Sequence, residues 1–360
     1  MPLTRKKVSM NIALHGARGI AALMVVLSHI SSGGITDRFF PNMTPNLIVL
    51  KNVLLSGQYG VEIFFMISGY LITASVIRHK SAASFILDRC IRLYPVVIPA
   101  LLFIFISGPL IGYAYFDDFT ALEWGFHLII NLLFIPGIYP IEAALVVAWS
   151  LSYEALFYLS ASYVKYFQNN NYAKYVLFLL VIPPFLYFYP RAIFLVIGVA
   201  VYFNIKNGLK INYRTPNFFF PNFLLFLFLL YFIQFHNELN IVVSQIMLGL
   251  LWLISIVLGY LIFIEIVMQT NMALKLLALK WMQFLGTISY SLYIWHTLIM
   301  FVTKRIFSNT VEIFGSYGSF IMFALVSIAL SLVISYISYV ILEVRVVQYL
   351  SKYKKSSISS

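Results

Sequence analysis

Apolar runs, each about as long as a bilayer is thick, follow one another along this chain, and the charges are confined almost entirely to the short loops between them. A membrane-crossing helix needs about 20 mostly apolar residues. Hydrophobic residues make up 62% of the 360-residue sequence and charged residues only 10%, against roughly 25% charged in a soluble domain. So few charges could not cover a water-facing surface. The expected fold class is an all-α, polytopic membrane bundle of about ten transmembrane helices.

Hydropathy places the spans near 11–32, 58–78, 92–115, 143–164, 174–189, 191–205, 218–235, 241–264, 282–303 and 319–342. The fifth and sixth are short and interrupted by Pro183, Pro184 and Pro190. A further apolar stretch, 121–135, is too short to span comfortably and is expected to lie at the interface. No water-soluble block is long enough for a second domain, so 1–360 reads as a single membrane domain with no fused soluble domain.

The net charge of +12 comes from 24 Lys and Arg against 12 Asp and Glu. The loops sort 18 of these basic residues to one side, among them Arg78, Lys80, Arg89, Arg92, Lys280, Arg345 and Lys354. Five fall on the other, namely Arg38, Lys51, Arg191, Lys304 and Arg305, with Arg18 left inside a span. The positive-inside rule then puts the first side and both termini in the cytoplasm. Because the basic residues do not line one face, nucleic acid is excluded as a partner. One cysteine, Cys90, leaves no disulfide framework and no cysteine metal cluster. Arg5, Lys6 and Lys7 before an apolar run would also open a signal peptide, but Arg18 interrupts the run and no cleavage pattern precedes Gly33. The first helix is therefore expected to be retained.

Ionisable groups inside spans cost about 2.5–3.5 kcal/mol each even on the lenient insertion scale. Here they are Arg18 and His29 on the first span, Glu62 on the second, Glu154 on the fourth and His296 on the ninth. Arg18 and His29 share one helix face about 16 Å apart, which predicts a polar cavity running across much of the bilayer. Depth matching predicts that Glu62 orients His29 and that Glu154 pairs with Arg18, although either carboxylate is within reach of the histidine. Tyr293 and Ser289 lie on the face of His296 and extend the polar stripe. Buried polar groups that merely hold helices together are the competing explanation. No His-x-x-x-His or Glu-x-x-His pair occurs among the spans, so no metal is expected, and Gly-x-Ser-x-Gly is absent.

Five blocks of this sequence resemble those of the acyltransferase-3 family of integral membrane O-acyltransferases. They are Leu14-His15-Gly16-Ala17-Arg18-Gly19 leading to His29, Gly60 to Gly69 (GVEIFFMISG), and the basic stretch Phe85 to Arg89 with Arg92 to Pro95. Trp149-Ser150-Leu151-Ser152-Tyr153-Glu154 and Ile288 to His296 (ISYSLYIWH) complete the set. All five come in the family's order, whereas 165–280 contributes only hydropathy. Glu62 stands where the family usually has Asp, and Asp88 where it often has the first of three basic residues.

The resemblance implies transfer of an acetyl or similar acyl group from cytoplasmic acyl-CoA to a hydroxyl of an extracytoplasmic cell-surface polysaccharide or its lipid-linked precursor. It implies residence in the inner (plasma) membrane of a bacterial cell, among membrane lipids. On that reading Arg89 and Arg92 bind the phosphates of acetyl-CoA, unless they only reflect the positive-inside bias. His29 is the candidate base, or else carries the acyl group covalently. Arg18 binds the donor or stabilises negative charge, held by Glu154, while Glu62 orients His29. Tyr290, Tyr293 and His296 are candidates for lining the acceptor path. A flippase for a lipid-linked glycan, with no acyl chemistry, is the alternative, although no inverted repeat is seen.

Overall fold

The computed structural model describes residues 11–36, 39–139, 141–172, 180, 182–208, 219–236, 243–269 and 275–359. The longer helices are α1 (Ile12–Gly34), α2 (Pro45–Leu55), α3 (Gly60–Arg78), α4 (Ala82–Ser107), α5 (Ala121–Leu132) and α6 (Ala148–Tyr166). They continue with α7 (Ile182–Phe188), α8 (Ile193–Lys206), α9 (Phe219–Phe235), α10 (Gln245–Met268), α11 (Lys280–Ser308), α12 (Val311–Ser338) and α13 (Val347–Ser359). Six described segments are long and apolar enough to cross a bilayer: Ile12–Gly34, Pro45–Arg78, Ala82–Ser107, Gln245–Met268, Lys280–Ser308 and Val311–Lys354. Their outer faces carry exposed aliphatic side chains such as Ile106 and Leu325, as lipid contact requires. The chain is a polytopic membrane protein with an all-α fold.

Several boundaries differ from those expected. α4 starts at Ala82, where the Ser81 hydroxyl accepts from the Ser84 N–H, so Asp88, Arg89 and Arg92 lie inside the helix rather than before it. A span delimited by where charges stop misses polar opening turns that a serine cap sets in place. α3 continues an apolar path that begins in α2 and passes through the Ser56–Tyr59 turn. Among the expected spans outside the six, α9 is apolar but only 17 residues long, α8 has 14, and α6 carries Ser150, Ser152, Glu154, Ser160 and Ser162. In the expected span 174–189, residues 174–179 and 181 lie outside the described residues, and α7 occupies much of the rest.

Two close helix crossings position the polar groups. At the first, α1 lies against α11, and a Cβ on Gly286 would run into the carbonyl of His15. At the second, α3 meets α8 through Gly69 and Gly198, whose hypothetical Cβ atoms would strike the carbonyls of Leu195 and Met66 respectively. Small residues let apolar helices approach until their backbones touch, and in a bilayer that packing supplies much of the association energy. The face of α12 toward α11 follows the same logic with serines: Ser319, Ser327, Ser331 and Ser335 are buried, and Ser327 Oγ lies 2.6 Å from Thr303 Oγ1. Beyond Ser338 the helix widens over Tyr339–Val346 into π-helical turns.

Candidate active site

α1 and α11 run parallel, and ten residues beyond their closest approach they bring two histidines together. His29 Nδ1 lies 3.1 Å from His296 Nε2 and 3.0 Å from the Val25 carbonyl. His296 Nδ1 lies 2.8 Å from the Leu292 carbonyl. A carbonyl only accepts, so each Nδ1 carries its proton. His296 Nε2 then holds a lone pair that accepts from His29 Nδ1–H. The remaining ring nitrogen of His29, Nε2, is left with a lone pair of its own. His296 is fully buried.

The expected partnership of Glu62 with His29 is corrected by the structure. Glu62 Oε1 accepts from Arg191 Nε–H at 2.5 Å, because the Gly69–Gly198 crossing brings the first turn of α3 beside the Pro190–Ala192 turn that leads into α8. On α3 the seven residues from Glu62 to Gly69 are about two helical turns, so Glu62 falls on the face of the crossing glycine. In the sequence Arg191 opens the expected span 191–205 and counts among the external charges. Its signal was present all the same: one arginine in an otherwise apolar stretch, directly after Pro190.

At the other end of the bundle, Arg18, Arg89, Arg92 and Glu154 line one inner cavity, with Tyr290 and Tyr293 in its wall. Arg18 and Glu154 share that cavity but form no ion pair within 4.0 Å. Glu154 instead accepts from Tyr158 Oη. The guanidinium of Arg89 lies 5.7 Å from the Phe85 ring and 5.9 Å from that of Tyr158, and it donates to Ser75 Oγ at 3.3 Å. Arg92 is exposed. Tyr290 Oη donates to the Leu93 carbonyl at 2.9 Å, tying α11 to α4. Asp88 accepts from His79 and from Lys354, at 2.7 and 2.6 Å, and so fastens the start of α4 to α13.

Glu343, which a span closing at 342 left outside the membrane, is a further member. The wide turns after α12 direct it at α11, where it accepts from Ser291 N–H at 3.2 Å and Ser291 Oγ at 2.7 Å. With Arg18, Arg92 and His15 it lines a second cavity at the basic end.

The cavities lie next to one another and share wall residues. Arg18 and Arg92 belong to both inner ones, and Tyr293 and Val61 belong both to the inner cavity lined by Arg89 and Glu154 and to an outer cavity of about 260 Å³. His29 and Ser32 border that outer cavity and a second one of about 240 Å³ walled by Ile104, Val146, Leu298 and Phe323. Tyr293 Oη and Ser150 Oγ, 2.7 Å apart, stand where inner and outer spaces adjoin. Among the described residues no three His, Cys, Asp or Glu side chains are grouped to hold a metal ion.

Residues 11–340, from the cap of α1 to the second residue of the π-helical stretch after α12, match the acyltransferase-3 family, described as an acyltransferase domain. The chain belongs to that family. Of the site residues named above, the matched segment leaves out Glu343 and Lys354. Nodulation protein 10 of Rhizobium leguminosarum bv. viciae is 32% identical over 120 residues, covering 30% of this chain and 33% of that protein. An O-acetyl transferase of Shigella phage Sf6 is 35% identical over 107 residues, covering 29% of this chain and 28% of the phage protein. The chain thus spans about a third of the length of these curated relatives, or less. No solved structure matches it significantly.

Proposed function

We propose that the protein transfers an acyl group, acetyl in the simplest case, from cytoplasmic acetyl-CoA to a hydroxyl of a cell-surface polysaccharide or its lipid-linked precursor on the opposite side of the inner membrane. The observation that carries this reading is the series of cavities. Two basic inner cavities suit a polyanionic donor, one of them shares Tyr293 with an outer cavity that His29 borders, and the Nε2 of that histidine holds a lone pair. Family membership supports the reaction class, and the printed name of the phage relative supports acetyl as the group moved.

In this reading Arg92 and Arg18 hold the donor's phosphates and pantetheine end from the inner cavities, with Arg89 beside them, since guanidinium groups pair with phosphate through two parallel N–H bonds. His29 borders the outer cavities and not the inner one, which favours it as the base for the acceptor over a carrier of the acyl group. Its Nε2 takes the proton of the sugar hydroxyl as that oxygen attacks the thioester carbon. Collapse of the tetrahedral intermediate breaks the C–S bond, and the departing thiolate takes the proton back from the imidazolium. His296 steers the ring by accepting from Nδ1–H, the part that sequence reasoning gave to Glu62. Tyr293 Oη, at the junction, donates to the developing oxyanion by exchanging its bond to the Val147 carbonyl or Ser150 Oγ.

The test compares surface glycans from cells lacking the gene with cells restored by wild type or by His29→Ala, with membrane abundance of each variant checked. O-acyl groups counted by mass spectrometry should vanish in the deletion, return with wild type and stay absent with His29→Ala. Full acylation by the histidine variant would remove His29 from the reaction, and unchanged acylation throughout would favour transport without acyl chemistry.

A further inference from the structure

Where the Ser56–Tyr59 turn, α3 and the approach to α8 meet, three buried polar atoms have no hydrogen-bond partner: Nε2 of Gln58, Nη2 of Arg191 and Oε2 of Glu62. Buried polar groups in folded proteins are nearly always paired, so three orphans at one place require a reason. Gln58 and Arg191 line the 260 Å³ outer cavity that also has His29, Trp149 and Tyr293 in its wall. Glu62 is not part of that wall and its side chain is only 1% exposed.

Arg191 is held in place from several sides. Glu62 takes its Nε–H at 2.5 Å, and the guanidinium carbon lies 4.8 Å from the Trp149 ring centroid and 5.8 Å from that of Tyr59. The Tyr59 hydroxyl is itself anchored, 2.8 Å from both the Leu230 carbonyl and Gln234 Oε1. Trp149 is braced edge-on by Phe65 and Tyr153. The result is a fixed N–H donor with no acceptor in the protein, on the wall that His29 shares, beside a second free donor on Gln58.

The chemistry of the missing partner follows. Two N–H donors call for oxygen acceptors. The ion pair with Glu62 cancels the charge of Arg191, and the unpaired Oε2 behind it would repel an anion. Neutral oxygens, as on hydroxyls or a ring ether, satisfy both donors without that penalty. Building on the acyl-transfer reading, we infer that Arg191 and Gln58 form the acceptor subsite, donating to the oxygens of a neutral sugar unit whose free hydroxyl then faces His29. Glu62 is the positioning residue for Arg191.

The experiment uses the purified protein in nanodiscs with labelled acetyl-CoA. The acceptors are oligosaccharides released from the surface polysaccharide of cells lacking the gene, divided by anion exchange into neutral and acidic pools. Gln58→Leu removes an amide N–H that bonds to nothing in the protein, and Arg191→Lys keeps the charge opposite Glu62 while losing the forked donor. Each should raise the acceptor KM about tenfold, the worth of one hydrogen bond to a charged or buried donor, with kcat and the KM for acetyl-CoA within about twofold of wild type. The effect should appear with the neutral pool. If Arg191→Lys does not fold, Gln58→Leu decides alone. Transfer with an unmoved acceptor KM, or transfer confined to the acidic pool, would overturn the subsite. Absence of transfer by the wild-type protein itself would overturn the acyl-transfer reading, and the subsite with it.

Discussion

His29 and His296 meet edge to face, with ring centroids 5.0 Å apart and Nδ1 of the first 3.1 Å from Nε2 of the second. Their meeting is set at a distance. Gly19 on α1 and Gly286 on α11 stand ten residues before each histidine, at the tightest part of the crossing, and ten residues in each parallel helix advance both chains by about 15 Å. A glycine contact near the basic end thereby fixes a proton-carrying contact near the other.

The first prediction concerns the orienting role of His296. His296→Ala removes the acceptor for His29 Nδ1–H, freeing the ring to rotate, and should lower kcat about 100-fold, the usual scale for mispositioned acid–base catalysis. His296→Gln offers a side-chain oxygen in its place and should recover part of that loss, with the KM for acetyl-CoA unchanged in both. Equal loss in the two variants, measured with purified protein, would show that His296 does something other than accept this hydrogen bond.

A second prediction separates fold from function at Glu62 and Arg191. Glu62→Ala leaves a guanidinium unpaired in a largely buried place. The cost should be about 2–3 kcal/mol, below the usual figure for breaking a buried pair because the Arg191 side chain keeps 26% exposure. Replacing both, as Glu62→Leu with Arg191→Met, removes the stranded charge and should restore most of the lost thermal stability. Acceptor use should stay impaired in the double variant. Additive destabilisation by the two single changes in a double-mutant cycle would mean that the pair is not coupled.

How much of this was legible beforehand depends on the kind of signal. Arg18, His29, Glu62, Glu154 and His296 stand out in sequence because an ionisable residue within an apolar run is costly and therefore rare. The structure brings Arg18 and Glu154 to one cavity and sets His29, on the wall of another, against the buried His296. Partnerships were not legible, because they depend on helix rotation and crossing, which small residues set through backbone contacts that hydropathy does not see. Arg191 and Glu343 were missed for a simpler reason: each sits at the edge of an apolar run, where a charge looks like a loop residue. The early start of α4 was hidden the same way, its polar opening turns resembling a basic loop. Of the ten expected spans, those with continuous long apolar runs are recovered, while α6 and α8 show that a buried helix can be too polar or too short for that criterion.

The crossing itself supplies a third prediction. A side chain at Gly286 would collide with the His15 backbone rather than with a flexible neighbour, so Gly286→Val must push α1 and α11 apart. Overpacking of this kind costs about 1–3 kcal/mol, and the separation should carry through to the histidines. Membrane-inserted protein should persist at reduced abundance while glycan acylation per molecule falls sharply. Gly249, with nothing within 4 Å of its hypothetical Cβ, is the control, and Gly249→Ala should leave both measures unchanged. Normal acylation per molecule by Gly286→Val would break the proposed link between the crossing and the site.

The last prediction concerns the donor. Arg92 lines both inner cavities and is exposed, whereas Arg89 is packed between the rings of Phe85 and Tyr158 and bonds to Ser75. The two arginines therefore should not behave alike. Arg92→Ala should raise the KM for acetyl-CoA about tenfold, the scale of one charge-assisted contact, and Arg92→Lys should recover only part because a point charge replaces a bidentate fork. Added salt should weaken the wild-type enzyme's use of acetyl-CoA more than the variant's, since the screened attraction is the one removed. Acetyl-dephospho-CoA, lacking the 3′-phosphate, should close the gap between them if Arg92 reads that group. Arg89→Ala should instead lower folded yield, because it strips a cation from two aromatic faces. A KM that moves with Arg89 but not with Arg92 would reverse these assignments and place the phosphates against the Phe85–Tyr158 wall.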